Sequence, residues 1–390
     1  LLPGPGTVYL SQDLRFQVPV SAGDTITTTL VAKQKDPARH HIEFDCRCRN
    51  QDGVEVLAGT ARVQAPTRKV RLPRPDVPEA RVADHARFRA LLERAQGGTP
   101  VVAAVVHPCD EATLSAAAEA ARLGLLTPIL VGPTAKIRAA AQRGGIDLGS
   151  LRVVDAPHSH AAAAQAVALV CSGEAKLLMK GSLHTDELMH AVLAAADLRT
   201  GRRLSHVYVL DVPDYPRPLL VTDAAVNIAP GLAEKRDIVQ NAIDLAHFLG
   251  IAEPKVAVLS AVETVNPAIP STLDAAALCK MAERGQIGGG RLDGPLALDN
   301  AISPEAAREK GIASAVAGQA DILVVPDLES GNLLAKQLTF LSGADAAGIV
   351  MGARVPIILT SRADAPRARL ASCALAALLA RTPATPLRGA

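Results

Sequence analysis

Aromatic side chains are nearly missing: the 390 residues hold five Phe, three Tyr and no Trp. Eight rings offer no stacking platform for nucleic-acid bases, and a net charge of +2 offers no cationic surface for a polyanion, so no nucleic-acid partner is expected. The interior has to be filled by Ala, Val, Leu and Ile, which suits close packing of helices on sheets. No apolar run approaches the roughly 18 residues of a membrane span. The opening Leu-Leu-Pro-Gly-Pro-Gly has neither the basic nor the apolar region of a signal peptide, so a cytoplasmic location without membrane attachment is expected. Six cysteines in so long a chain make no disulfide framework. Cys46 and Cys48 share a strand face, Cys279 and Cys373 fall in apolar helical patterns, and no Cys-x-x-Cys or adjacent His completes a metal site. These thiols are expected to be small buried hydrophobes. His40-His41 and His158-Ser-His160 read as surface residues.

The length predicts two or three domains. Residues 7 to 64 alternate with period two in runs at Val8 to Gln12, Leu14 to Val18, Thr25 to Val31, His41 to Cys46 and Val54 to Ala58, separated by turn compositions. That pattern predicts an antiparallel meander over residues 1–66. Pro66 to Pro78 carries four prolines among basic residues and predicts an extended linker over 67–82. Beyond it, short apolar runs alternate with helical segments such as Glu234 to Leu249 and Ser271 to Glu283. The runs lie at Val101 to Val106, Pro128 to Val131, Lys176 to Met179, His206 to Leu210, Lys255 to Leu259, Asp321 to Val325 and Val355 to Leu359. Continuous rather than alternating strands are covered on both faces, which predicts an α/β fold of doubly wound parallel sheets.

Several loops concentrate polar groups. Arg284 to Asn300 holds five glycines and two aspartates in seventeen residues and predicts a loop, with Asp293, Gly294, Asp299 and Asn300 as candidate substrate contacts. Glu263 to Asn266 and Glu329 to Asn332 flank it, suggesting one rim. After the strand ending near Met179, Lys180-Gly-Ser-Leu-His-Thr-Asp186 combines a cation, a glycine permitting close approach and Thr185 as a helix N-cap. Lys180, Gly181 and Thr185 therefore predict an anion cradle. Thr222, Asp223 and Asn227, with Lys235 near them, extend it, and Gly331, Asn332 and Lys336 open a later helix that can add a phosphate contact. Helix capping alone accounts for some of these residues without a ligand.

Thr222-Asp-Ala-Ala-Val-Asn-Ile-Ala-Pro230, Ser260-Ala-Val-Glu-Thr-Val-Asn266, the Arg284 to Asn300 stretch, Val325-Pro-Asp-Leu-Glu-Ser-Gly-Asn332 and Leu359-Thr-Ser-Arg362 closely resemble the phosphate acetyltransferase/phosphate butyryltransferase family over about 83–385. Leu2 to Val63 resembles the second half of a MaoC-like, hot-dog-fold enoyl-CoA hydratase, so the whole resembles a bifunctional hydratase and acyltransferase whose beginning is missing. The hydratase catalytic pair would lie upstream, and the half-domain is expected to be inactive in hydration.

The resemblance implies a two-domain isocitrate dehydrogenase-like fold: 83–204 plus 353–390 as the first domain and 205–352 as the second, with a cleft between. It implies reversible acyl transfer between coenzyme A and phosphate, a homodimer or higher homo-oligomer, and no cofactor, coenzyme A being a substrate. It implies catalytic roles for Ser361 and Arg362. The acyltransferase pattern has an Asp seven residues beyond that Ser, where this chain has Ala368; Asp364 is the nearest replacement. His190 stands where an Arg is usual, and Gly288 where a Thr is usual. A metal- and nicotinamide-dependent hydroxy-acid dehydrogenase of the same fold and a non-catalytic CoA-binding scaffold remain alternatives at this stage.

Overall fold

The computed structural model describes residues 3–21, 23–70, 86–361 and 364–382, so the expected linker from residue 71 onward and Arg362 lie outside the described residues. The chain divides at residue 83 into two units.

The first unit is an antiparallel sheet of β1 (Val8–Phe16), β2 (Thr27–Asp36), β3 (His41–Arg49) and β4 (Glu55–Gln64), in the order β1-β4-β3-β2. It departs from the expected meander. The hairpins β2-β3 and β3-β4 are consecutive, but β1 pairs with the far side of β4, from Val8↔Gln64 to Phe16↔Leu57. The connection from Gln17 to Ile26, with Pro19 near its start, joins β1 to β2. It is too long for a tight hairpin, and this frees β1 to cross over. The two runs predicted within 8–18 are one strand with an irregularity between Tyr9 and Ser11.

The second unit begins with α1 (Ala86–Gln96), β5 (Val101–Val106), α2 (Glu111–Arg122), β6 (Leu126–Gly132), α3 (Thr134–Arg143), β7 (Arg152–Asp155), α4 (Ser159–Cys171), β8 (Leu177–Lys180) and α5 (Thr185–Ala194). There follow β9 (Ser205–Asp211), β10 (Leu219–Thr222), α6 (Leu232–Phe248), β11 (Lys255–Leu259), α7 (Pro270–Glu283), β12 (Arg291–Leu296), α8 (Leu298–Ile302) and α9 (Pro304–Glu309). The unit closes with β13 (Ile322–Val324), α10 (Leu328–Phe340), β14 (Asp345–Met351), β15 (Ile357–Ile358) and α11 (Pro366–Arg381). Where the sequence predicts separate sheets, one eleven-stranded sheet runs in the order β12-β11-β13-β10-β9-β14-β15-β8-β5-β6-β7. The sheets merge because β9 and β14 pair antiparallel over their whole length, Asp345↔Asp211 to Met351↔Ser205.

Strand direction follows from the pairings. β15 is parallel to β8 and antiparallel to β14, β14 is antiparallel to β9, and β9 is antiparallel to β10. The set β5, β6, β7, β8 and β15 therefore runs opposite to the set β10, β11, β12 and β13, and the carboxyl ends of the two sets open at opposite edges. Both faces are covered. Ala103 and Val105 of β5 pack toward α1, α2 and α11, while Ala104 and Val106 pack toward α4 and α5, which is why the run reads as continuously apolar. Over β10 to β13, α8, α9 and α10 supply Ala301, Ala307 and partly buried Leu334 to the core. Among the described residues no helix is long and apolar enough to cross a membrane.

The expected loop 284–300 is partly a strand. Arg291–Leu296 forms the edge strand β12 on β11. Two of its five glycines serve close backbone contact inside the protein: a Cβ on Gly294 would lie 2.7 Å from the Val258 carbonyl, and one on Gly290 would lie 3.0 Å from that of Pro254.

Candidate active site

The carboxyl ends of β8, β5 and β15 form the first polar locality. Lys180 closes β8 opposite Val106 of β5. Its side chain is buried, and Nζ donates to the Gly181 carbonyl at 3.3 Å. Gly181 is where the chain needs no side chain, since a Cβ would sit 2.4 Å from the Val106 carbonyl and 2.7 Å from that of His107. Shortly after β15, Ser361 enters a turn closed by Asp364: the Ser361 amide donates to Asp364 Oδ2 at 2.7 Å, and the Asp364 amide donates to the Ser361 carbonyl at 3.2 Å. Buried Arg369 of α11 donates to the same carbonyl at 2.8 Å. Burial pushes the Asp364 carboxyl above its usual range, against the pull of the Ser361 amide and of the Arg369, Lys336 and Lys180 charges. The charges of Lys336 and Lys180 thus both reach the Asp364 carboxyl.

The second locality lies where β10 ends. Thr222 is fully buried, its hydroxyl donating to the His206 carbonyl at 2.9 Å. Asp223 gathers its own backbone, accepting from the amides of Ala225 at 2.9 Å and Val226 at 3.0 Å with Oδ1 and from that of Asn227 at 3.2 Å with Oδ2. Asn227 Nδ2 donates to Asp223 and to the Leu204 carbonyl, and its Oδ1 accepts from Arg203 Nε at 2.7 Å. The start of α10 packs on this turn. A Cβ on Gly331 would lie 2.7 Å from the Asp223 carbonyl, and Asn332 Nδ2 donates to that of Ala224 at 3.3 Å. Helix α10 therefore joins the localities, Gly331 and Asn332 standing at Asp223 while Lys336 acts on Asp364.

A cavity of about 920 Å³ is lined by Thr185, Met189, His190, Arg203, Asn227 and Leu328, among others. Thr185 is the first residue of α5, and the N-cap position expected for it belongs to His184. Lys235 is not part of the cradle: it is buried on α6, its Nζ bonded to Asp274 at 2.6 Å.

The remaining candidates have internal partners near the β11 and β12 ends. Asp293 Oδ1 accepts from the Gly294 amide at 2.8 Å. The Asp299 carbonyl accepts from the Ser303 amide at 2.8 Å. Fully buried Asn300 donates to Glu263, which also pairs with Lys310. Residues 284–290 precede β12 at one edge of the sheet, whereas Glu263 to Asn266, Glu329 to Asn332 and Ala297 to Asn300 follow β11, β13 and β12 at the other, so only part of the expected rim forms. The latter edge is opposite the one where Lys180 and Ser361 end their strands.

Sequence reasoning passed over Arg369, which holds the Ser361 carbonyl, because an Arg inside a helix carries no local sign of burial. It also passed over His206. This residue is fully buried, its ring stands edge-on to Tyr208 at 4.4 Å between centroids, and neither ring nitrogen makes a well-formed hydrogen bond. Burial pulls the imidazole down to about 4, opposed by the Asp223 charge and the nearby Leu359 carbonyl. Burial pushes the Cys279 and Cys373 thiols up to about 12, while Cys171, contrary to the expectation of burial, is exposed. Among the described residues no group of three His, Cys, Asp or Glu could hold a metal ion.

A branched-chain phosphotransacylase from Enterococcus faecalis V583 superposes with a TM-score of 0.63 at 32% sequence identity, covering 72% of this chain and 99% of that one. The second unit thus has a phosphotransacylase fold. The phosphate acetyl/butaryl transferase profile matches residues 158–377. A phosphate acetyltransferase of Rhizobium meliloti is 65% identical over 299 residues, 76% of this chain and 95% of that protein. A phosphate butyryltransferase of Clostridium acetobutylicum is 43% identical over 294 residues, 75% of this chain and 98% of that protein. The chain belongs to the phosphate acetyl/butaryl transferase family.

Proposed function

We propose that this chain reversibly transfers an acetyl or other short acyl group between coenzyme A and inorganic phosphate. The observation that carries the proposal is the half-buried Asp364 carboxyl, which holds the Ser361 amide at 2.7 Å and feels the charges of both Lys180 and Lys336. Two cations beside a carboxyl of raised pKa suit a reaction that binds a phosphate dianion and moves one proton. In the direction of thioester synthesis, the coenzyme A thiol proton passes to the Asp364 carboxylate as sulfur attacks the acyl carbon. The bond from that carbon to the phosphate oxygen then breaks, and the proton leaves on phosphate. Ser361 hydrogen-bonds the reacting group, and Arg362 with Lys180 holds the phosphoryl oxygens. Gly181 and Thr185 line the phosphate side, while Asn227 and His190 face the cavity proposed for the larger substrate. Thr222, Asp223, Gly331 and Asn332 act by shaping that wall.

The acyl group passes directly between the substrates, coenzyme A being a substrate and no cofactor being called on. The raised thiol pKa values of Cys279 and Cys373 support this, since a protonated thiol is a poor nucleophile. The proposal includes two α/β lobes meeting near 204 and 353, a cytoplasmic setting and a homo-oligomer. It assigns no hydration activity to the first unit, which has no helix among its described residues to cover the sheet. The test is thiol release from acetyl-CoA with and without phosphate. Release that requires phosphate and yields acetyl phosphate supports the proposal; no release, or release indifferent to phosphate, overturns it.

A further inference from the structure

Met179 of β8, Ile358 of β15, Ile349 of β14 and Val207 of β9 are successive cross-strand partners, and all four belong to one core cluster on one face of the sheet. Neighbouring residues on a strand point to opposite faces. Lys180, Leu359, Gly348 and Tyr208 therefore make a row across the other face, with Lys180 at one end and Tyr208 at the other. Leu359 joins the core beneath α4 and α5, whereas Tyr208 packs with Leu334 and Leu338 of α10. The row thus runs from the α5 side to the α10 side.

The Tyr208 end is braced. Gly348 has no side chain, and the His206 ring takes that place, its Nε2 2.8 Å from where a Cβ would stand. The half-buried Tyr208 ring stands edge-on to that imidazole at 4.4 Å between centroids. Its hydroxyl is unused. Tyr208 makes no hydrogen bond to any described residue, whereas the Tyr215 hydroxyl donates to the Ala320 carbonyl at 2.5 Å. A phenol held in place without a partner is a donor left for a ligand.

The charge that acts on this phenol is that of Asp364, the carboxylate proposed to take the thiol proton. Burial pushes the phenol above its ordinary pKa and the Asp364 charge pushes it further, so the hydroxyl keeps its proton well above neutral pH. Both ends of the row, Lys180 and Tyr208, thus interact with Asp364.

We infer that Tyr208 is a further catalytic residue of the acyl transfer, its hydroxyl donating to the acyl carbonyl oxygen as that oxygen gains negative charge in the tetrahedral intermediate. The inference rests on the acyl-transfer reading given above. The sulfur that gives its proton to Asp364 attacks the acyl carbon, so the carbonyl oxygen on that carbon falls within reach of a donor beside Asp364. A neutral donor suits it. Lys180 and Lys336 supply charge for phosphate, while the carbonyl oxygen needs a hydrogen bond that strengthens only as charge develops. The bond from sulfur to carbon forms, the bond from carbon to the phosphate oxygen breaks, and the phenol proton stays on Tyr208 throughout.

The experiment uses the full chain with acetyl-CoA and phosphate as substrates. Tyr208→Phe keeps the ring against His206 and removes only the hydroxyl. Its kcat should fall roughly 10² to 10³-fold, with both KM values and the melting temperature in place, as for an interaction made only in the transition state. Tyr208→Leu, which removes the ring as well, tells the two roles apart. Full turnover in Y208F beside impaired turnover in Y208L would show a packing role alone and overturn the inference. So would a raised phosphate KM in Y208F with kcat unchanged, which marks a ground-state contact. Absence of phosphate-dependent thiol release in the unaltered protein would instead overturn the acyl-transfer reading itself.

Discussion

The Asp364 carboxylate holds the backbone amide of Ser361 at 2.7 Å, so the group proposed to move the proton also fixes the residue proposed to bind the reacting atoms. Asn can accept the same amide but cannot take a proton at any relevant pH. Asp364→Asn should therefore keep the turn and its thermal stability while turnover falls roughly 10² to 10⁴-fold. Steady-state rates beside a melting curve check this; unchanged turnover would leave Asp364 as a turn residue only.

The pH profile follows from the same burial. Asp364 must be ionised to accept the thiol proton, and burial raises its pKa above the usual carboxylate value. The acid limb of kcat/KM should lie above the ordinary carboxylate range, with activity rising through it, and that limb should be missing from the residual activity of D364N.

Arg362→Gln should raise the phosphate KM and slow turnover together, because a planar two-pronged charged contact that tightens in the transition state is lost. A change in the acetyl-CoA KM alone would contradict this assignment, which rests on the Ser361-Arg362 motif.

His206 makes stability depend on pH. Its folded pKa of about 4 lies below the ordinary 6.5, so the unfolded chain takes up the proton first as pH falls. The contribution is fully present above about 6.5 and is lost progressively between there and about 4. His206→Gln should flatten the fall in melting temperature between pH 7 and 5; an unaltered slope would show that other groups dominate.

Gly181→Ala should destabilise the unit by about 1–3 kcal/mol, because its Cβ would strike two backbone carbonyls that cannot yield like a side chain. Gly288→Ala is the control: nothing lies within 4 Å of its Cβ position. Denaturant titration of both variants should separate them clearly.

The helix α10 and the residue after it expose Leu333 at 70%, Phe340 at 67% and Leu341 at 81%. These side chains support the proposed homo-oligomer. Sedimentation should give a dimer or larger species at micromolar concentration, and Phe340→Ser with Leu341→Ser should shift it toward monomer. A monomeric unaltered protein would refute the proposal.

Much of the fold was legible because buried parallel strands announce themselves. The runs at Val101 to Val106 and Lys255 to Leu259 coincide with β5 and β11. The strand β12 was hidden by its Asp, Gly and Pro, since the reason for Gly294, the backbone of Val258, lies on another strand. Lys180, Ser361 and Asp364 stood out because they follow apolar runs. The effect of the Lys336 charge on Asp364 did not, because it depends on where the fold places α10. Nor did local pattern reveal that β10 runs opposite to β15, so the Thr222 to Asn227 motif lies at the other edge, satisfying its own backbone.

Strand β15 has two residues, joined to β14 through Ile349↔Ile358 and Val350↔Ile357 and to β8 through Ile357↔Leu178 and Ile358↔Met179. The main-chain ladder between the oppositely directed strand sets is thus at its narrowest shortly before the Ser361 turn. Few amides must open together there for the seam to part, so deuterium should enter at Ile357 and Ile358 sooner than along the seven paired positions of β9 and β14. The reactive turn would then be tethered to the most readily breathing rung of the sheet, and ligands that clamp it should slow exchange at that rung first.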